Sequence, residues 1–169
     1  MEIKEIQPFL EYYGKIRQRT KRLLAYVPEE HINWAYKTGK FTIGDQICHI
    51  AALERYMFAE NVAGRPSCYS GCGSHYGGSL SQAIEFMDRM HKESIEIFSR
   101  LSPDDLQRRC TTPGGAGMPV WKWLRAMVEH EIHHRGQIYI YLNLLDIATP
   151  PMYGLSAEEV EANSIKNEL

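Results

Sequence analysis

Apolar positions recur at helical spacing through four long stretches of the chain. Over residues 6–26, Phe9, Leu10, Tyr13, Ile16, Leu23 and Leu24 fall near a period of 3.6, and the pattern stops at Val27-Pro28. An irregular link follows, with Ile32, Trp34 and Tyr36 as apolar anchors before Gly39. A second helix is predicted from Thr42 to about residue 62, ending at Gly64-Arg65-Pro66. Its apolar side is Ile43, Ile47, Ile50, Leu53, Met57 and Phe58. Thr42 offers an N-cap hydroxyl, and Asp45 places a carboxylate near the positive helix end. A third helix begins at Ser79 or Ser81 and runs to Leu101, with Ile84, Met87, Met90, Ile95 and Phe98 as its stripe. The last runs from Val120 to about residue 147, stopped by Pro150-Pro151. Ser156 caps a short acidic turn over residues 157–163.

No alternating run is strong enough to predict a sheet, and no repeat is present. The expected fold is therefore all-α, a four-helix bundle with long loop connections, in one domain over residues 1–169. The longest connection, residues 63–78, carries Pro66 and the glycines 64, 71, 73, 77 and 78. Loops of that length are often functional covers.

Composition narrows the function classes. Apolar residues make up 44% and charged residues 24%, as in ordinary globular proteins, and the formal charge of −2 supplies no basic surface for a phosphate backbone. The cations between Lys15 and Arg22 interleave with other residues and read as a solvated helix face, so direct nucleic-acid binding is not expected. The first residues lack the charged and apolar regions of a leader, and no apolar run approaches a membrane span. A cytoplasmic protein with no membrane partner is expected, its cysteines Cys48, Cys68, Cys72 and Cys110 reduced. Cys68, Cys72 and His75 lack a fourth ligand at zinc-finger spacing and read as loop residues.

The chemistry concentrates in Glu129-His130-Glu131-Ile132-His133-His134-Arg135-Gly136-Gln137. His130 and His134, four apart, stand one helical turn from each other and can share one ion. His133 offers a competing pair with His130, and a helical wheel separates the two. With His130 at zero, Val120, Trp123, Met127, Ile138, Tyr141 and Leu145 fall at about +20° to +80°. His134 lies near the middle of that stripe, His130 and Glu131 flank it, and His133 is about 110° from its centre. His130 and His134 are thus predicted to point inward, and His49, on another apolar helix, is the third candidate. His31, His75 and His91 read as ordinary polar residues. Val128, Ile132 and Tyr139 form a second apolar strip on the far side of the last helix, a face open to a second subunit.

Three histidines leave a coordination position for water or substrate, whereas structural zinc sites use four ligands, mostly with cysteine. Such a site suits a metal-dependent enzyme, in which the ion lowers the pKa of water or a thiol. Glu131 is the candidate catalytic base or orienting carboxylate; the alternative is an exposed glutamate paired with Arg135 one turn on. Gln137 can hydrogen-bond a ligand or simply pack, and Tyr56 and Tyr141 are candidate pocket walls. His130-Glu131-x-x-His134 also satisfies the zinc-protease pattern, but a small helical chain lacks a sheet edge for an extended peptide, and only Glu158 or Glu159 offers a downstream ligand.

These residues resemble the DinB/YfiT-like family of helical metalloproteins. Trp34 ahead of Gly39-Lys40-Phe41-Thr42-Ile43-Gly44-Asp45-Gln46-Ile47-Cys48-His49-Ile50 is similar to the family's second-helix histidine motif. His130-x3-His134-Arg135-Gly136-Gln137-Ile138 is similar to its fourth-helix motif, and Pro150-Pro151 follows as in the family. The resemblance covers nearly the whole chain and leaves the 63–78 loop unmatched. It implies a four-helix bundle, usually a homodimer, with His49, His130 and His134 holding one divalent metal ion, commonly nickel or zinc. It also implies, as in some members, a thiol-dependent transferase or isomerase with a low-molecular-weight thiol as co-substrate. The expected function is therefore a metal-dependent transferase or hydrolase acting on a small electrophilic substrate, the alternative being a non-catalytic metal- or ligand-binding dimeric module.

Overall fold

The structure, a computed structural model, describes residues 2–72 and 78–165. Four long helical arms make a bundle. They are α1 (Ile6–Leu24), α2 (Ile43–Leu53) with its continuation, α4 (Leu80–Phe98) and α6 (Val120–Leu144). The continuation of α2 passes through a π-helical segment, Glu54–Ala59, into a last α-helical turn, α3 (Glu60–Val62). Helix α2 packs against both α4 and α6, and α1 against α6 and α4, which closes the ring. Among the described residues no helix is long and apolar enough to cross a membrane.

Local chemistry sets the ends. Thr42 and Asp45 form a reciprocal capping box at the start of α2, each side chain bonding the other's backbone N–H at 3.0 Å. Gly44 lets the preceding link close over this end. Its N–H donates to the Ile32 carbonyl at 2.8 Å, and a Cβ there would stand 3.2 Å from Ile32. Ser79 caps α4, and Ser102 with Asp105 caps the short α5 (Pro103–Gln107). Helix α6 ends at Leu144, three residues before the expected limit, because Asp146 takes the left-handed conformation at φ 56°.

Two features depart from expectation. The π segment interrupts what reads as one helix, and a short hairpin pairs β1 (Arg109–Thr111) with β2 (Gly117–Pro119), antiparallel, Cys110 opposite Met118. Strands of three residues are too short to show a period of two. The expected terminal turn is α7 (Ala157–Ile165).

The apolar core is divided in two. One half gathers Leu23, Leu24, Ile43, Ile47, Met87, Ile138 and Leu142. The other gathers Phe9, Tyr13, Ile16, Phe58, Phe98, Leu124 and Met127. Between them along each arm lie buried polar residues: Arg17 and Thr20 on α1, Glu54 after α2, Ser94 on α4, and Glu131, His134 and Arg135 on α6. A polar layer therefore crosses the bundle at mid-height, and the candidate residues stand in it.

Candidate metal centre

His49, two turns beyond the Thr42 cap, meets His130 and His134 across the α2–α6 contact. The ring centroids are 5.0 Å apart for His49–His130, 4.7 Å for His49–His134 and 4.5 Å for His130–His134. One potential ligand atom from each lies within 4.8 Å of those of the other two. Among the described residues this is the one group of three or more His, Cys, Asp or Glu side chains so arranged. His133 is exposed and outside it, as the wheel predicts.

Hydrogen bonds set the tautomer of His134. Its Nδ1 faces the amide oxygens of Gln46 and, at 2.8 Å, of Gln137. Two acceptors on Nδ1 require it to carry the proton, which leaves the Nε2 lone pair free. Gln137 is held in turn by His133, whose Nε2 lies 3.1 Å from the Gln137 amide nitrogen. Tyr69, from the loop after α3, places its hydroxyl 2.7 Å from His49 Nδ1. His130 Nε2 is buried with no hydrogen-bond partner.

Burial also holds the rings neutral. Desolvation, with the neighbouring imidazoles adding to it, pushes His130 down to about 3. Desolvation likewise brings His134 down to about 4, against the opposing hydrogen bond that its Nδ1 donates to Gln137, and lowers His49. Aromatic rings surround the cluster: Phe41 lies edge-on to His49 at 5.0 Å, and Phe58 stands 6.0 Å from His130.

Glu131 is inward, which removes the reading as an exposed partner of Arg135. It is 1% exposed, and both carboxylate oxygens are directed at α1. Oε1 accepts from the Thr20 hydroxyl at 2.6 Å, and Oε2 stands 3.1 Å from Arg17 in an ion-pair contact. Arg17 also pairs with Glu54 and donates to the Tyr13 hydroxyl at 2.9 Å, while His91 Nδ1 lies 2.8 Å from Glu54. His91, read as an ordinary polar residue, thus belongs to a buried ionic network. Arg135 is buried too and donates to the Ile16 carbonyl at 3.3 Å.

Tyr141 braces the link before α2, donating to the Phe41 carbonyl at 3.1 Å and meeting Trp34 edge-on at 5.2 Å. Tyr56 is half-buried beside Arg55, 5.8 Å from ring centroid to guanidinium. Cys68 is exposed and Cys72 buried, while His75 lies outside the described residues. Gln46, Tyr69 and Phe41 are the site residues that sequence reasoning missed. Gln46 had one available signal, a polar side chain among the apolar positions of α2.

Fold and site together define a helical bundle with a three-histidine cluster at mid-height. The DinB superfamily profile matches residues 12–138, and the chain belongs to that superfamily. Its fold is similar to that of a DinB-like protein from Bacillus cereus, with TM-score 0.73 at 19% identity, covering 88% of this chain and 97% of that one. A DinB-like protein from Bacillus subtilis is similar at TM-score 0.69 and 18% identity, covering 89% of this chain and 100% of that one. No curated protein sequence is significantly similar to the chain.

Proposed function

We propose that the chain binds one divalent metal ion, nickel or zinc, through His49, His130 and His134, and acts as a metal-dependent enzyme on a small electrophilic substrate. One observation carries this: three nitrogen donors from two helices lie within 4.8 Å of one another. The donor set fits the ion. All three rings have depressed pKa values, His134 has a hydrogen-bonded Nδ1, and His130 Nε2 has no other partner. Three protein ligands mark an open site, and an ion so held supplies Lewis acidity at its free positions. A low-molecular-weight thiol is the proposed co-substrate, and a homodimer the proposed assembly.

The chain's own residues orient and enclose. Gln46 and Gln137 fix His134, and Phe41 and Phe58 line the cluster with apolar surface. Glu131 anchors α6 to α1 through Thr20 and Arg17, a commitment that disfavours it as the base of a zinc protease. The test is metal content of the purified chain beside His49→Ala, His130→Ala and His134→Ala. We expect about one ion per chain in the wild type, lost in each variant together with thiol-transfer turnover on a panel of electrophiles. Turnover persisting in the metal-free triple variant refutes the enzyme reading. Metal without turnover on any acceptor favours the binding module.

A further inference from the structure

The two sides of the triad are oriented differently. His134 takes its partners from the bundle itself, Gln46 on α2 and Gln137 on α6. His49 takes its hydrogen bond from a loop, through Tyr69.

The path of that loop explains how a stretch outside the helices delivers a phenol to one ring nitrogen. After α3 the chain turns at Gly64, whose φ of 79° suits glycine, and Arg65 N–H returns to the Glu60 carbonyl at 2.8 Å. It then runs back along the π segment. There the Tyr56 carbonyl accepts from Cys68 N–H at 2.9 Å and from the Ser67 hydroxyl at 3.3 Å. Tyr69 N–H meets the same Ser67 oxygen at 3.3 Å. Two donors from outside the helix on one helical carbonyl call for a local break in the α ladder, and the i→i+5 pairing of a π turn is such a break. Tyr69, one residue beyond the anchor, packs half-buried against both halves of the core. Its ring lies edge-on to His49 with centroids 5.7 Å apart.

We propose that Tyr69 is a positioning residue for the metal centre, with the π segment as the device that seats it. The phenol oxygen accepts the His49 Nδ1 proton, which fixes the ring's orientation and leaves Nε2 as the donor atom. The Cys72 thiol is a second neighbour of this phenol: burial raises its pKa and a hydrogen bond with Tyr69 opposes that rise. Ser67, Cys68 and Tyr69, from the loop that the sequence resemblance left unmatched, are thereby part of this chain's site. The proposal rests on the reading of the triad as a metal site.

The experiment uses the full chain with Zn(II) and Ni(II) as separate probes. Affinity is measured by chelator competition for wild type, Tyr69→Phe and Ser67→Ala, and the His49 tautomer by nitrogen NMR of the metal-free protein. Tyr69→Phe is expected to weaken binding about tenfold to a hundredfold, the usual effect of removing a ligand's orienting partner, with an unchanged melting temperature of the metal-free chain. Ser67→Ala, which keeps the phenol and loosens the anchor, is expected to fall between. Nδ1–H is expected in wild-type His49 and a mixture of tautomers in Tyr69→Phe. Affinity within twofold of wild type for Tyr69→Phe, or a wild-type His49 protonated on Nε2, overturns the proposal. If the wild type binds neither ion, the metal reading fails, and the tautomer measurement still decides whether Tyr69 sets the His49 ring. Should Tyr69→Phe misfold, Ser67→Ala carries the test, and an unchanged affinity there overturns the proposal.

Discussion

Acidifying the solution from pH 7 to pH 5.5 is expected to leave the metal affinity of this triad nearly intact. Protons compete with the ion for each ring nitrogen. An imidazole of ordinary pKa, about 6.5, is roughly one-quarter protonated at pH 7 and nine-tenths protonated at pH 5.5. Competition then weakens each ligand about 8-fold, and three together about 600-fold. Here burial holds His130 at about 3 and His134 at about 4, so both are neutral at both pH values. His49 is lowered as well, which leaves its share below that 8-fold factor. The expected loss is thus under about tenfold. The same shifts act on stability. The folded-state values lie below the unfolded value, so the unfolded chain binds more protons as pH falls. Stability is fully present above about 6.5 and declines toward about 4 for His134 and about 3 for His130. The slope is at most about 1.4 kcal/mol per pH unit for each ring, less where water reaches it. Chelator competition with Zn(II) at the two pH values, with circular dichroism confirming a folded chain, measures the effect. A loss of two orders of magnitude refutes the reasoning, because it means that the rings titrate as exposed imidazoles.

Arg17→Met leaves the Glu54 and Glu131 carboxylates buried without their shared cation. A loss of about 3–5 kcal/mol follows, which lowers the melting temperature by roughly 6–20 °C for a chain of this size, read by thermal denaturation. His133→Ala is expected to keep one ion per chain by elemental analysis, since His133 stands outside the triad, with a weaker affinity because Gln137 loses its anchor. Thr42→Ala removes half of the capping box at the start of α2 and is expected to cost about 1 kcal/mol in a urea titration.

Helical periodicity separated His130 and His134 from His133 because the choice is local. Three rings on one helix differ only in angle from the apolar stripe, and the stripe is written in residues 120–145. The arrival of His49 is non-local, yet it too was legible, since a helix that buries one face must turn a histidine on that face toward its neighbours. The same reasoning found Glu131 inward and missed its partner. An inward arc wide enough for both α1 and α2 does not say which helix a side chain at its edge will meet. Gln46 gave a weak signal. Tyr69 gave none, because its place depends on the Tyr56 carbonyl in a π segment whose residues, Glu54 to Ala59, carry no glycine or proline to mark the break.

Adjacent residues on α6 serve the two sides of the polar layer. His130 faces His49 of α2, and Glu131 faces Thr20 and Arg17 of α1. Sliding α6 by one residue would break both sets of contacts at once, leaving buried carboxylates uncompensated on one side and separating the imidazoles on the other. The ionic network therefore sets the register of the helix that carries two of the three proposed ligands, although the two sets of contacts lie on different sides of α6. Apolar packing alone specifies register less sharply, since volume-conserving exchanges of one apolar group for another cost under about 1.5 kcal/mol. Paired charges at mid-height sharpen it. The desolvation they bring is the same physical effect that keeps the neighbouring histidines neutral, so the burial that makes the layer costly also keeps its nitrogen lone pairs available.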